Sequence, residues 1–209
     1  MATSQNYINR RIHSLLGVVP IGLFLIVHFV INHYAVRGPA SYNQAAGFLE
    51  NLPWLLWWEW ILIYLPLLFH GIYGLYIAFT STSNVGSNGF FRNWMYLLQR
   101  ISGLFLVIFI AWHIWQTRIA HAMGEPVDFQ MMQHILANPF FFWFYIVGVL
   151  AAVFHFSNGL WSFCVTWGLT VTPRSQQIVT YITLALFILM SVIGIRAVIA
   201  FTNPEFAMF

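Results

Sequence analysis

The sequence has few charged residues, no lysine and a single cysteine. Charged side chains make up only 6% of the 209 residues, whereas a water-soluble domain carries roughly a quarter. The net charge of +3 comes from arginines spread along the chain, and no basic patch of the kind that binds nucleic acid occurs. The lone Cys164 excludes an intramolecular disulfide and a multi-cysteine metal site. We therefore expect lipid, rather than water, to surround most of this chain.

What the sequence has instead is a series of long apolar stretches. Hydrophobic residues are 60% of the chain, and about 20 mostly apolar residues suffice to cross a bilayer. The first stretch, which follows Arg10 and Arg11, is too long for a signal-peptide core of ~7–15 residues, so we interpret it as a retained span. The sequence predicts an all-α integral membrane protein, a single bundle over residues 1–209. Its five spans are predicted at about 13–36, 54–80, 95–118, 139–167 and 178–202.

The distribution of arginine predicts how the bundle is oriented. Cytoplasmic segments of membrane proteins are enriched in Lys and Arg. With the N-terminus inside, five arginines fall on the inner side and three on the outer side, where all the acidic residues also lie. We expect the N-terminus in the cytoplasm and the C-terminus outside. The inner residues are Arg10, Arg11, Arg92, Arg100 and Arg174, and the outer ones are Arg37, Arg118 and Arg196.

Four histidines are predicted inside the spans, one in each of the first four. Ionisable residues in membrane segments are rare and usually functional. With a helical rise of ~1.5 Å per residue, His28 and His113 lie near the outer face of the bilayer, and His70 and His155 lie near the inner face. The four histidines therefore form two pairs, each with one member on each of two helices at matching depth.

A pair of imidazoles at one depth suits a haem iron held between two helices, because helical bundles build cofactor sites from side chains on facing helices. A zinc site would need more ligands than two nitrogens. A proton relay would need buried carboxylates, and Glu59 is the one carboxylate predicted inside a span. For a lone membrane histidine, an interhelical hydrogen bond would be an equally good interpretation. The pattern of four predicts two haems with all four histidines as iron ligands.

The remaining histidines fall at span ends or in loops, and we expect them to be ordinary interfacial residues. They are His13, His33, His121 and His134. Glycines near the predicted ligands give helix faces without bulk, although close helix packing explains them equally well. They are Gly71, Gly74, Gly103 and Gly159.

Five segments resemble the cytochrome b subunit of succinate:menaquinone oxidoreductase from Bacillus-type Gram-positive bacteria. The resemblance extends over about residues 7–201 and includes loops as well as helices. The segments are NRRIHSLLGVVPIGLFLIVH, FHGIYGLYIAF, RNWMYLLQRISG, HFSNGLWSFCVTWG and TVTPRSQ.

The resemblance implies five spans and two haems b in a bacterial cell membrane. It implies that His70 and His155 ligate the inner, higher-potential haem, and that His28 and His113 ligate the outer, lower-potential haem. A flavoprotein and an iron–sulfur subunit would bind on the cytoplasmic side, and electrons would pass through the haems to menaquinone. No succinate chemistry would occur in this chain.

Three alternatives stay open at this point. The same subunit plan serves a fumarate reductase anchor that runs in the reverse direction. Other five-helix dihaem anchors, such as a nitrate reductase gamma subunit or a formate dehydrogenase cytochrome, place their ligands on different helices. The third alternative is a non-redox membrane protein in which histidines hydrogen-bond between helices.

Glu59 is the candidate for the quinone site. It is predicted just below the outer surface, at the level of the outer haem, and quinone reduction consumes protons as well as electrons. A hydrated carboxylate in the headgroup zone is the alternative interpretation. His33 and Arg196 are predicted at similar depth and are candidates to join the same site.

Overall fold

The computed structural model describes residues 2–203, and every regular element in that range is helical. Within the same range, five helical stretches are long and apolar enough to cross a membrane. The prediction of an all-α, five-span bundle is therefore confirmed. We number the spans in chain order as Gln5–Arg37, Leu55–Thr80, Phe91–Ala122, Pro139–Thr166 and Pro173–Thr202. Glu205 and the C-terminal residue, Phe209, lie outside the described residues.

Two of the spans are continuous α-helices and three are assembled from shorter pieces. The fourth and fifth spans are single helices, and Asn138 caps the fourth, because its side-chain oxygen accepts a hydrogen bond from the Phe140 N–H at 2.9 Å. The pieces of the first span are Ala2–Val18, Pro20–His33 and a 3₁₀ turn at Tyr34–Arg37. The second comprises Leu55–Glu59, a π-helical turn at Trp60–Tyr64, and Leu65–Thr80. The third comprises Phe91–Ile114, a π-helical turn at Trp115–Ile119, and Ala120–Ala122.

Each π-helical turn has a local chemical cause. Pro66 follows the first one, and a proline lacks the N–H of the regular ladder and crowds the carbonyl four residues before it. In the second, the Thr117 hydroxyl donates to the carbonyl of His113 at 2.7 Å, which competes with the backbone for that acceptor. The second and third spans are therefore both widened toward their outer halves.

The first four spans form a ring in which each packs against the next and the fourth returns to the first. The fifth span lies outside this ring, in the groove between the first and fourth spans. Glycines let the helices approach closely, because each receives the side chain of a facing span where a Cβ would stand. These contacts are Gly22 with Phe156, Gly148 with Phe109, and Gly194 with Phe29 and Val149.

Two short helices, Pro39–Glu50 and Phe129–Leu136, cover one end of the bundle. Tyr42 and Phe129, one from each, are buried against Phe201 of the fifth span, with ring centroids 4.9 and 5.0 Å from it. Burial, together with the nearby carboxylates of Asp128 and Glu50, raises the pKa of Tyr42 to about 12, so its phenol stays neutral. We call this the capped end, and it corresponds to the predicted outer end.

The opposite end carries the N-terminal helix and the loops between the second and third and between the fourth and fifth spans. There the Arg11 guanidinium lies 4.9 Å from the ring centroid of Trp167, whose indole N–H donates to the Ser14 hydroxyl at 3.0 Å. The Arg92 side chain contacts Thr180 and lies over the ring of Trp161. The arginines of this end thus tie neighbouring spans together through aromatic rings.

Candidate functional site

The structure brings together the four histidines that are predicted inside the spans, in the predicted pairs. The rings of His28 and His113 have centroids 5.7 Å apart, and those of His70 and His155 are 6.0 Å apart. Two imidazoles on opposite sides of one metal ion have centroids roughly 6 Å apart, because each metal–nitrogen bond is about 2 Å. Each pair joins spans that are diagonal in the four-helix ring, so both pairs lie in its interior.

The pairs stand at two levels of the bundle. The ring of His70 lies against Gly17 of the first span, and His28 is eleven residues further along that span, or about 16 Å. The ring of His155 lies against Gly103 of the third span, and His113 is ten residues further, or about 15 Å. Two independent helices therefore give the same separation, with the His28–His113 pair toward the capped end.

The two histidines at the inner level are held by the same local arrangement. His70 Nδ1 donates to the carbonyl of His13 at 2.9 Å, and His155 Nδ1 donates to the carbonyl of Gln99 at 3.2 Å. In each case the residue four positions beyond the acceptor is a glycine, Gly17 or Gly103, and the imidazole lies where its Cβ would be. Because Nδ1 is occupied by a backbone acceptor, Nε2 is left free to bind a metal ion.

Gln99 and Asn158 fasten His155 more firmly than its partner. The Gln99 amide donates to the carbonyl of His155 at 2.9 Å, while its own backbone carbonyl accepts from His155 Nδ1. The Asn158 amide donates to the Gln99 side-chain oxygen at 2.8 Å. This reciprocal pairing fixes the third and fourth spans in register at the inner level.

The outer pair is held differently. His113 Nδ1 donates to the phenol oxygen of Tyr145 at 3.2 Å, and the Tyr145 hydroxyl donates to the Gln116 side-chain oxygen at 3.3 Å. The phenol is therefore an acceptor toward the imidazole, which again leaves Nε2 of His113 free. For His28, no hydrogen bond to the ring nitrogens occurs within residues 2–203.

His13 is not the interfacial residue that the sequence predicts. Its ring lies 4.0 Å from that of His70, and both of its ring nitrogens are buried without a hydrogen-bond partner among residues 2–203. The ring of Tyr73 lies 5.9 Å from that of His13, and its buried hydroxyl also has no hydrogen-bond partner in the described part of the chain. His33, in contrast, donates from Nδ1 to the carbonyl of Ile193 at 3.1 Å, and His121 lies 3.7 Å from the Glu50 carboxylate. His134 is exposed.

Glu59 lies within the second span near the capped end, and it is paired. The Arg118 side chain of the third span donates from Nε to Glu59 Oε1 at 3.0 Å and from Nη2 to Oε2 at 2.8 Å. The other two candidates for this site, His33 and Arg196, form no hydrogen bond or ion pair with Glu59 in the described part of the chain. His33 turns toward the fifth span through Ile193, and Arg196 of the fifth span is exposed.

These features define the class: an α-helical integral membrane protein whose interior histidines are paired at two depths. Residues 81–195 match the family model for the transmembrane subunit of succinate dehydrogenase and fumarate reductase. The chain is also 52% identical over 201 residues to the succinate dehydrogenase cytochrome b558 subunit of Bacillus subtilis (strain 168), covering 96% of this chain and 100% of that relative. The chain therefore belongs to the family of succinate dehydrogenase/fumarate reductase transmembrane subunits, and it is a membrane subunit of that enzyme complex.

Several contacts of the site are not evident from the sequence. In the sequence, Arg118 is only one of the arginines predicted on the outer side, and it lies 59 residues from its partner Glu59. Gly17 stands eleven residues before His28, the predicted ligand of its own span, so nothing marks it as a neighbour of His70. The spacing of His13 and Gly17, repeated in Gln99 and Gly103, is a signal that the sequence does carry.

Proposed function

We propose that this chain is the dihaem cytochrome b subunit of succinate:quinone oxidoreductase, with His28 and His113 as ligands of one haem and His70 and His155 as ligands of the other. The observation that carries the proposal is the pair of facing imidazoles on each diagonal of the ring, at two levels about 15 Å apart. The name of the Bacillus subtilis relative, a cytochrome b558, supports haem b as the cofactor.

When bound, the two haems would pass single electrons between the levels, from an iron–sulfur partner subunit to menaquinone. The chain's own residues supply orientation. The backbone carbonyls of His13 and Gln99 and the phenol of Tyr145 fix the imidazoles with Nε2 toward the interior. The diagonal placement of the pairs keeps both sites inside the ring of helices, away from lipid.

The partner subunits would bind at the arginine-rich end. Residues at that end include the exposed Arg10 and Arg174, and the positive-inside rule assigns this end to the cytoplasm. A flavoprotein and an iron–sulfur subunit would carry out the succinate or fumarate chemistry there. The subunit plan serves succinate oxidation and fumarate reduction alike, so the direction depends on the quinone and the partners.

Menaquinone would meet the chain near the capped end, beside Glu59. A carboxylate inside a membrane span is costly and usually functional, and Glu59 is half-buried at the level of the outer histidine pair. A quinone that accepts electrons there also needs protons, which a carboxylate close to the surface can help to supply.

A reduced-minus-oxidised absorption spectrum of the purified complex, combined with histidine replacements, tests the haem assignment. His113→Ala should lose the outer haem and His155→Ala the inner, higher-potential haem, so each variant should retain about half of the haem. His33→Ala is the control, because its ring bonds to the fifth span, and both haems should remain. Two haems with unchanged spectra in His113→Ala would show that the pairing is wrong, and a complex without haem b bands would favour a non-redox membrane protein.

A further inference from the structure

Arg118 has more N–H donors than its ion-pair partner Glu59 accepts. A guanidinium has five N–H donors, and Glu59 engages the Nε donor and one donor on Nη2. The phenol of Tyr64 lies beside the same guanidinium. Counting partners within residues 2–203, Arg118 therefore has N–H donors that no protein group accepts, and its side chain is one-third exposed, whereas the Glu59 side chain is only 14% exposed.

The chemistry of a quinone decides which member of the pair can hold it. A quinone presents two carbonyl oxygens, which accept hydrogen bonds and donate none. A carboxylate paired with a guanidinium is likewise only an acceptor. While it is ionised, Glu59 therefore has no hydrogen-bond donor for a quinone carbonyl, whereas the remaining N–H groups of Arg118 can donate to it.

Both side chains adjoin π-helical turns, and those turns lie on neighbouring spans. Glu59 immediately precedes the turn at Trp60–Tyr64, and Arg118 lies within the turn at Trp115–Ile119. Such turns are rare and are frequent at functional sites. Pro66 and Thr117 favour these two turns locally, and the turns place Glu59 and Arg118 beside widened segments of two adjacent spans.

The second π-helical turn also connects Arg118 to the outer histidine pair. Gln116, two residues before Arg118, accepts the hydrogen bond of Tyr145, whose oxygen accepts from His113 Nδ1. The turn begins only two residues after His113. A ligand held by Arg118 would therefore sit on the same short segment that positions a ligand of the outer haem.

We propose that Arg118 is a quinone-binding residue, which donates N–H hydrogen bonds to a quinone carbonyl oxygen while Glu59 serves as its counter-ion. This proposal rests on the proposed function of the chain as a quinone-reducing cytochrome subunit. It reassigns the binding contact from Glu59 to Arg118 and keeps Glu59 in the site as the group that holds the guanidinium in place.

The competing explanation is that the ion pair only ties the second and third spans together. A double replacement separates the two explanations, because removing both charges leaves no uncompensated charge in the membrane. Steady-state succinate-to-quinone activity of the intact complex would be measured with a short-chain naphthoquinone in R118Q, E59Q and R118Q/E59Q. Haem content and the reduction of haem by succinate without added quinone would be measured in the same samples.

If Arg118 binds quinone, R118Q and R118Q/E59Q should both raise the KM for naphthoquinone by about tenfold or more, with haem content and haem reduction by succinate retained. E59Q should impair turnover less than R118Q. Arg37→Gln, which removes an exposed arginine at the same end of the bundle, is the matched control and should keep the wild-type KM.

Recovery of the wild-type KM in the double variant would overturn the proposal and leave a structural tie. A normal KM in R118Q with impaired turnover in E59Q would overturn it while leaving the quinone site at Glu59. Normal turnover in all three variants would remove the proposed quinone site itself. Where R118Q alone does not accumulate with haem, the double variant carries the test by the same KM criterion.

Discussion

The four paired histidines differ in the groups to which their ring N–H bonds are directed. At the inner level both Nδ1 atoms donate to backbone carbonyls, whereas at the outer level His113 donates to a phenol and His28 has no such partner in the described part of the chain. When the ring nitrogen that does not bind the metal donates a hydrogen bond, the ligating histidine becomes more basic. With haems bound as proposed, these contacts alone would lower the midpoint potential of the inner haem, so the higher inner potential implied by the resemblance would need an opposing influence, for which the positive charge of the arginine-rich end is a candidate.

Tyr145→Phe tests the phenol's role at the outer level. The ring stays, but His113 Nδ1 and the Gln116 oxygen lose their partner, which we expect to lower the free energy of unfolding by about 1–3 kcal/mol. Loss of the acceptor makes His113 a weaker base, so the midpoint potential of the outer haem should rise in a redox titration. The inner haem should be unaffected.

Tyr42→Phe is the control for this substitution, because Tyr42 is equally buried but packs in the cap against Phe201, away from the histidines. It should leave both midpoint potentials unchanged. A Tyr145→Phe complex whose two haems titrate as in the wild type would show that the phenol does not influence His113.

The sequence identifies residues whose chemistry is unusual for a membrane span. It does not identify residues whose role depends on which side chain of another helix they contact. A histidine in an apolar span is conspicuous, and helical rise is enough to place His28 at the depth of His113. Whether Arg118 turns toward Glu59 depends on the rotation of two helices about their axes, which apolar periodicity does not fix in a lipid environment. Hence the pairing of the histidines was predictable and the Glu59–Arg118 ion pair was not.

At the scale of single helices, the glycines differ in the side chains that they accommodate on the facing helix. Gly17 and Gly103 give room to imidazole rings, and Gly22, Gly148 and Gly194 accept neighbouring side chains. Gly74, which the sequence suggests as part of a haem face, has the ring of His13 from the first span 3.6 Å from the place where a Cβ would stand. The spacing of a glycine from the histidine in its own helix is therefore a poor guide, and the facing helix decides.

Gly17→Ala should disturb the inner haem. A Cβ at this position would stand 2.8 Å from His70 Nδ1, and His70 is held there by the carbonyl of His13. We expect overpacking of about 1–3 kcal/mol and a lower content of the higher-potential haem in spectra of the purified complex. Gly47→Ala is the control, because Gly47 lies in a cap helix away from the four paired histidines and no described atom lies within 4 Å of the place where its Cβ would stand. Equal haem content in the two variants would contradict the contact.

At the scale of the whole molecule, the number of spans determines at which end of the bundle each loop lies. An odd number of spans puts Gln5 and Thr202 at opposite ends of the bundle. The connections after the first and third spans form the cap, and those after the second and fourth lie at the opposite end, where Trp167 contacts Arg11 and Ser14 of the first helix. Apolar length alone predicts this arrangement, since each span has to reverse the direction of the one before it. The short cap helices were not predicted, because they lie outside the apolar runs that identify the spans.

Reporter fusions would determine which end faces the cytoplasm. A reporter in the Ser81–Gly89 loop should report a cytoplasmic location, and one fused after Phe209 should report an external one, because the arginine-rich end is expected inside. An insertion in the segment between Met123 and Asp128, which precedes a cap helix, should agree with the C-terminal fusion. The reverse pattern would place the cap, and with it the candidate quinone site, on the cytoplasmic side.

The separation of the two histidine levels has an electrical consequence. About 15 Å is half of a hydrocarbon core of ~30 Å, so an electron moving between the levels crosses roughly half of the membrane voltage. A full crossing is worth about 2.3 kcal/mol per 100 mV, and this step therefore gains or loses about 1.2 kcal/mol per 100 mV. With the cap outside, an inside-negative voltage drives electrons outward toward the quinone. The membrane voltage would then contribute to the driving force of quinone reduction. Collapsing that voltage would slow quinone reduction even though the structure of the subunit would be unchanged.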